Sequence, residues 1–314
     1  MRLIRVLGVA TVLFLGVGCG LVEKMGGSRT PKNTSPVQTV SAEQLVDYLN
    51  AQAARLNSVT YDQAVITPKQ GLGLVPLPSL RGDLAAVQPR NFRMRGQGGA
   101  VNAKIDLGSN PEQFWLYLDA PTARETFVFA SHSDFETGRV RLPVDIPFEP
   151  DWVMQALGMT TFPRDARYEV KKDERARTYT LSWPDKTPNG VPVRKEVVFY
   201  ADDADSRRDE PQVRRHIIRD VRGNVICSAD VKKAHTVSVG GNDSRSGQPY
   251  VVQYPTHIVL RWEQQRFEMD LELKGGKANP GLSEEQVRAH FSRPTNYGVQ
   301  PINLAEGRID VQGR

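Results

Sequence analysis

Between residues 257 and 273 the chain alternates with a period of two. Ile258, Leu260 and Trp262 fall on one side, Phe267, Met269, Leu271 and Leu273 repeat the pattern, and Glu268, Asp270 and Glu272 take the opposite side. Successive side chains of a β-strand point to opposite faces, so this alternation requires a sheet with one apolar face and one wet face. A helical bundle cannot use such a pattern.

The rest of the chain is built of the same material. From Leu80 to His132 five short strands follow one another: Leu80 to Val87, Asn91 to Gln97, Asn102 to Gly108, Gln113 to Asp119 and Thr126 to Ser131. Turn residues such as Gln88-Pro89-Arg90 and Gly108-Ser109-Asn110-Pro111 separate them, which predicts an antiparallel meander. Strands resume at Tyr168 to Lys172, Thr178 to Trp183, Arg194 to Tyr200, Gln212 to Asp220, Asn224 to Lys232, His257 to Glu263 and Arg266 to Leu273. The charged or Gly/Ser-rich stretches Ala201 to Glu210 and Gly240 to Gln248 read as mobile linkers. An earlier strand runs from Val59 to Thr67, where Pro68 is expected to end it.

Helices are few. Ser41 with Gln44 three residues on forms a capping-box pattern, and Leu45, Leu49, Ala53 and Leu56 then share one helical face. A second helix is predicted over Pro150 to Gly158, with Asp151 as cap and Trp152, Ala156 and Leu157 on one face. A third is predicted near the end, capped by Ser283 with Gln286.

The N-terminus carries an address. Arg2 and Arg5 precede an apolar run from Val6 to Val17, which is too short to span a bilayer core and ends in small residues. Val17, Gly18 and Cys19 resemble the bacterial lipobox, although Gly16 stands where a Leu or Val is usual. That resemblance implies cleavage before Cys19, acylation of its thiol and anchoring to a membrane rather than spanning it, since each buried CH₂ is worth about 0.8 kcal/mol. A plain cleaved signal with a chance cysteine, or a buried N-terminal helix, is the alternative. Gly20 is not the Asp that resembles an inner-membrane retention signal, so the outer membrane is the expected location. Leu21 to Val40 is rich in Gly, Ser, Thr, Pro and Lys and reads as a flexible tether. The expected division is therefore a signal peptide over 1–19, a tether over 20–40, a folded domain over 41–294 and a C-terminal tail over 295–314.

Composition sets the bounds. With 39% hydrophobic and 25% charged residues, the chain has enough apolar material for one large β domain or two small ones. The formal charge of +5 falls to +3 without Arg2 and Arg5, a mild basic balance that suits an anionic lipid surface. Of the 2 cysteines, Cys19 is the lipidation candidate, which leaves Cys227 without a disulfide partner and in an apolar setting that favours an inert thiol.

The order of elements, one amphipathic helix, a long meander, a helix midway, more meander and a closing strand pair, resembles the LolA/LolB-like half-barrel of lipoprotein carriers and receptors. The residues that carry the likeness are Leu80-Arg81-Gly82-Asp83-Leu84, Asn91-Phe92-Arg93-Met94-Arg95-Gly96 and Gly108-Ser109-Asn110-Pro111-Glu112-Gln113-Phe114-Trp115-Leu116-Tyr117, with Tyr254-Pro255-Thr256-His257-Ile258 and Phe267 to Leu273. The resemblance covers 41–294. It implies a mainly β (α+β) fold, a single antiparallel half-open β-barrel wrapped around one or two helices. It also implies a concavity that shelters an acyl chain of a lipid or lipoprotein. Its wall would be drawn from Phe92, Met94, Trp115, Tyr117, Phe127, Phe129, Trp262, Phe267 and Met269. Phe114 to Leu118 and Thr126 to Phe129 are apolar on both faces and so need cover on both.

The apolar loop containing Leu72, Leu74, Val75 and Leu77 has two readings, a loop tucked on the core or a lid touching the membrane. Its glycines lack the spacing of a phosphate-binding loop. The five histidines, His132, His216, His235, His257 and His290, show no metal-ligand spacing, and no metal or other cofactor is expected. Ser131-His132-Ser133-Asp134 offers triad residue types, but neighbours on a strand point apart. The basic stretch Arg214 to Arg222 alternates with β-branched residues as a solvated strand does, and no nucleic-acid partner is expected. The expectation is a non-catalytic, monomeric, membrane-anchored binder of an apolar ligand. The alternative is a structural or protein-interaction envelope lipoprotein with a filled core and a protein partner.

Overall fold

The computed structural model describes residues 38–70, 79–98, 102–120, 123–140, 150–187, 190–201, 211–242 and 247–306. The expected leader, Cys19, most of the tether and the loop with Leu72, Leu74, Val75 and Leu77 lie outside them. Ser41 opens the domain with the capping box its sequence implies. Its hydroxyl accepts from the Gln44 amide at 3.2 Å and Gln44 Oε1 accepts from the Ser41 amide at 2.9 Å. Helix α1 (Ala42–Arg55) follows and buries Leu45, Val46, Leu49 and Ala53.

Strands β1 (Ser58–Gln70), β2 (Leu80–Val87), β3 (Asn91–Gly98), β4 (Ala103–Ser109), β5 (Gln113–Ala120) and β6 (Ala123–Ser131) form a first antiparallel meander. Helices α2 (His132–Glu136) and α3 (Pro150–Ala156) come next. A second meander runs through β7 (Glu169–Asp173), β8 (Thr178–Lys186), β9 (Pro192–Tyr200), β10 (Val213–Arg219), β11 (Val225–Asn242), β12 (Pro249–Trp262) and β13 (Phe267–Ala278). Helix α4 (Glu284–His290) and the short β14 (Ile302–Asn303) end the described chain. The sheet order is β14-β6-β5-β4-β3-β2-β1-β13-β12-β11-β10-β9-β8-β7, so the two meanders join where β1 meets β13 and the sheet stays open. This is the unclosed antiparallel sheet around helices that the sequence led us to expect.

The two faces differ as the alternation demands. Ile258, Leu260, Trp262, Met269, Leu271 and Leu273 are buried with Trp152, Met154 and Leu157 of and just after α3, in one core that also takes Phe92 and Met94. On the other face Glu268 bonds Lys69 Nζ at 3.0 Å and Arg261 Nε at 2.8 Å, and Asp270 bonds His257 Nε2 at 2.8 Å. Buried Asp230 on the same face receives Arg215, Arg261 and Lys232. Burial pushes its carboxyl up, but hydrogen bonds from Arg215 and Arg261 outweigh that and hold it below its ordinary value.

Four sequence expectations give way to the structure. Pro68 does not end β1, which runs on to Gln70 against β13. Pairing to β2 stops at Ile66 opposite Leu80, so one side of β1 is an edge at Pro68, where a missing N–H removes no ladder bond. Asp151 is not a cap but lies in the first turn of α3 and accepts from Arg90 Nη2 at 2.9 Å. The stretch Gly240 to Gln248 is no simple linker, because β11 reaches Asn242 and β12 begins at Pro249 as one long hairpin. His132 to Asp134 do not continue the strand, since Ser131, the last residue of β6, caps α2 and accepts from the Asp134 amide at 3.0 Å.

Residues 295–306 of the expected tail also pack on the domain. Phe291 and Leu304 are buried, and β14 pairs in parallel with β6 through Ile302 and Asn303, opposite Val128 and Phe129.

Candidate functional site

The nine aromatic and methionine residues expected to line one concavity are divided between the two faces of the sheet. Phe92, Met94, Trp262 and Met269 are in the core around α3, with Phe267 packed against it. Trp115, Tyr117 and Phe127 form a separate cluster with Phe129, Tyr297 and Val299. The register explains the division. Phe92 pairs with Ser109 and so with Phe114, and Met94 with Leu107 and so with Leu116, whereas Trp115 and Tyr117 alternate to the opposite face. The apolar-on-both-faces strand β5 is thus covered twice, by the helix-side core and by the C-terminal segment.

The helix side is filled. Trp152, Met154 and Leu157 are at most 2% exposed and wedge between strands of both meanders. Among the described residues a cleft of about 40 Å³ lies between α1, the turn after α3 and β10 to β12. That volume holds a few waters, against the several hundred Å³ typical of a small-molecule pocket. Its rim is fastened by two side-chain amides of α1. Gln52 Nε2 donates to Gln253 O at 2.7 Å while its Oε1 accepts from Gln253 N at 3.0 Å. Asn50 does the same with Phe162, at 3.0 and 2.7 Å.

His216 lines this cleft, fully buried beside Gln155 Nε2 at 3.3 Å. Burial pushes its imidazole down to about 4, so it is neutral in the folded chain at pH 7. The unfolded chain binds that proton near the ordinary value of about 6.5, so stability is intact above that pH and is lost as pH falls toward 4. The loss is about 3 kcal/mol. His216→Gln is expected to flatten that part of the pH–stability curve, measured by urea unfolding across the range. His132 and His290 are held down by burial in the same direction, so some acid slope persists in the variant.

The outer face of β2 to β5 carries the most connected polar group of the described chain. Asp106, 1% exposed, accepts from Arg93 Nη2 at 2.6 Å and Nε at 3.2 Å, from Trp115 Nε1 at 3.2 Å and from the Tyr297 hydroxyl at 2.6 Å. Arg93 Nη1 donates to His290 O at 2.7 Å, so the end of α4 is tied to the same hub. Tyr297 stacks on Tyr117 with centroids 3.8 Å apart and planes at 6°. Arg293 sits over the Phe129 ring at 3.7 Å. Burial, and Glu125 accepting from its hydroxyl, pushes the Tyr117 phenol up to about 12. Gly108 makes room for Trp115, because a Cβ there would lie 2.1 Å from the indole ring. Sequence patterning did not single out Asp106 or Tyr297, since Asp106 meets Arg93 and Trp115 only through the pairing of β3, β4 and β5, and Tyr297 comes from 191 residues away.

Beside the hub, α4 stands off the sheet and leaves a groove of about 480 Å³. Thr60, Ala85, Arg93 and Arg95 form its floor, and Gln286 and His290 belong to its wall. Arg95 is held by Asp83 through Nε and Nη2 at 3.0–3.2 Å.

The other candidates are structural. His132 Nε2 lies 2.8 Å from Asn110 O and 3.2 Å from Ser109 Oγ. A carbonyl can only accept, so that nitrogen carries the proton and is no base toward Ser109. Ser131 Oγ donates to Asp134 Oδ2 at 2.6 Å, away from the imidazole. Cys227 is buried in the core. Among the described residues no three His, Cys, Asp or Glu side chains converge as metal ligands, and no helix is long and apolar enough to cross a membrane.

No family model matches the chain, and no curated protein does. Among solved structures, it is similar to a DUF1329 family protein from Desulfovibrio piger, at 12% identity and a TM-score of 0.48 over 82% of this chain and 98% of the other. It is also similar to a putative outer membrane lipoprotein-sorting protein domain from Vibrio parahaemolyticus, at 12% identity and a TM-score of 0.46, covering 80% and 98%. A LolA superfamily protein from Nitrosomonas europaea aligns at 10% identity with a TM-score of 0.43, covering 81% and 99%.

Proposed function

We propose that this chain is a lipid-tethered protein of the bacterial envelope whose half-barrel is a solid, non-catalytic scaffold that engages a protein partner through its surfaces. The observation that carries this reading is the filling of the helix side by Trp152, Met154 and Leu157, beside which the described residues enclose a cleft of about 40 Å³ where an acyl carrier needs a cavity. The leader ending in Gly18-Cys19, followed by Gly20, supports an acyl anchor at Cys19 in the outer membrane. The expected result of native mass spectrometry on the domain from Ser41 onward, with lipid extraction, is an apo mass and no uptake of added fatty acid. Co-purifying acyl species would overturn the solid-scaffold reading. For the tether, radiolabelled palmitate is expected to enter the full chain and to be absent from Cys19→Ala; equal labelling of both would reject Cys19 as the anchor.

One observation favours a second reading, an acyl-chain binder that opens. Helix α1 is latched over the small cleft by Asn50 and Gln52, and releasing those amides would enlarge it. The same mass measurement distinguishes the two, since an opening carrier takes up the added chain.

A further inference from the structure

The groove between α4 and the outer face of the sheet has a chemistry that the solid-scaffold reading does not use. The geometry points to an oxyanion site in this groove, where a phosphate or carboxylate group is held by Arg95, Gln286 and Thr60.

The argument rests on donors and acceptors. The carboxylates nearest the groove are already engaged. Both Asp106 oxygens accept two donors each, and both Asp83 oxygens accept from Arg95. Donors are in surplus. Arg95, whose side chain is 45% exposed, spends Nε and Nη2 on Asp83, and its Nη1 has no acceptor among the described residues. Gln286 uses its Oε1 on the Ser283 amide and leaves its Nε2 without an acceptor there. The Thr60 hydroxyl is likewise unengaged. His290 borders the groove, and its Nε2, closed off from solvent, has no hydrogen-bond partner among the described residues, so its ring reports on what enters beside it.

Charge agrees with this. After burial, the largest influences on the His290 imidazole are Arg95 and then Arg93, both of which outweigh Asp83 and Asp106. Its volume, about 480 Å³, lies in the range of small-ligand sites. An oxyanion accepts from several donors at once, and a planar guanidinium nitrogen pair suits both carboxylate and phosphate.

The test is a titration of the full chain, labelled with ¹⁵N-histidine, with inorganic phosphate and with succinate at constant ionic strength, using chloride as the control. The expected result is a saturable shift of the His290 ring signals, while those of His235 stay in place. Arg95→Gln and Gln286→Ala, at exposed or half-exposed positions, are each expected to weaken binding about tenfold. Two arms separate the sources of the oxyanion. Retention of the Cys19→Ala chain on phosphatidylglycerol vesicles but not phosphatidylcholine vesicles, lost in Arg95→Gln, assigns a lipid headgroup; saturation by free phosphate without vesicle retention assigns a soluble ligand. A shift that chloride reproduces, or one unchanged in the Arg95→Gln and Gln286→Ala variants while circular dichroism shows them folded, overturns the site. Neither outcome bears on whether the helix side is solid.

Discussion

Asp106→Ala is expected to lower the unfolding free energy by about 3–5 kcal/mol, the usual result of removing one partner from a buried ion pair. The reason is what it leaves behind. Arg93, with 11% of its side chain exposed, would keep its charge without a carboxylate, while Trp115 Nε1 and the Tyr297 hydroxyl would lose their acceptor. Urea unfolding followed by near-ultraviolet circular dichroism reads the loss directly. Asp106→Asn should fall between, since it keeps the shape and one acceptor oxygen but not the charge. A change below about 1 kcal/mol for the alanine variant would mean that the hub is solvated in solution and holds nothing together.

Ending the chain after Pro294 is the second large effect. The shortened chain lacks Tyr297, which stacks on Tyr117, Val299 beside it, the β14 pairing and buried Leu304. Burying an apolar side chain is worth about 1.5–3 kcal/mol, so a loss of about 3–6 kcal/mol is expected even after the entropy regained by the missing segment. Trp115, Tyr117 and Phe127 would then face water, and dyes that bind exposed apolar surface should bind the truncated chain. Unchanged stability and no dye binding would show that residues 295–306 are an appendage.

Much of the fold was readable because its signals are local. Strand and turn chemistry placed β2 to β6 within a residue or a few at each end, and two capping boxes located α1 and α4. The need to cover both faces of Phe114 to Leu118 was also visible. The identity of the outer cover was not, because Tyr297 sits in a stretch without periodicity and only the folded sheet brings Tyr117 to it. The same holds for Asp106, an ordinary outward residue of a short strand until Arg93, Trp115 and Tyr297 converge on it. The far half of the β11–β12 hairpin was missed for the opposite reason. Val237, Val239, Val252 and Tyr254 pack on the core there, but the Gly240-Gly241 pair and Pro249 beside them read as a linker. The single aromatic wall failed on parity, since strand neighbours of like chemistry belong to opposite faces.

The junction of β1 with β13 has a kinetic meaning. Within each meander every strand meets its predecessor through a short connection, and such local pairings form early. The junction does not. Asn279 accepts from the Asn57 amide across 222 residues at 2.8 Å and donates to Arg55 O, so the two halves are stitched only when the end of the chain arrives. The aromatic surface of β5 and β6 must wait as well, for Tyr297 and Val299. A nascent chain would carry Trp115, Tyr117 and Phe127 uncovered through most of its emergence, which is when a sheet with open edges is most prone to aggregate. Refolding rate and yield should therefore respond sharply to dilution and to a holding chaperone, whereas the finished domain should not.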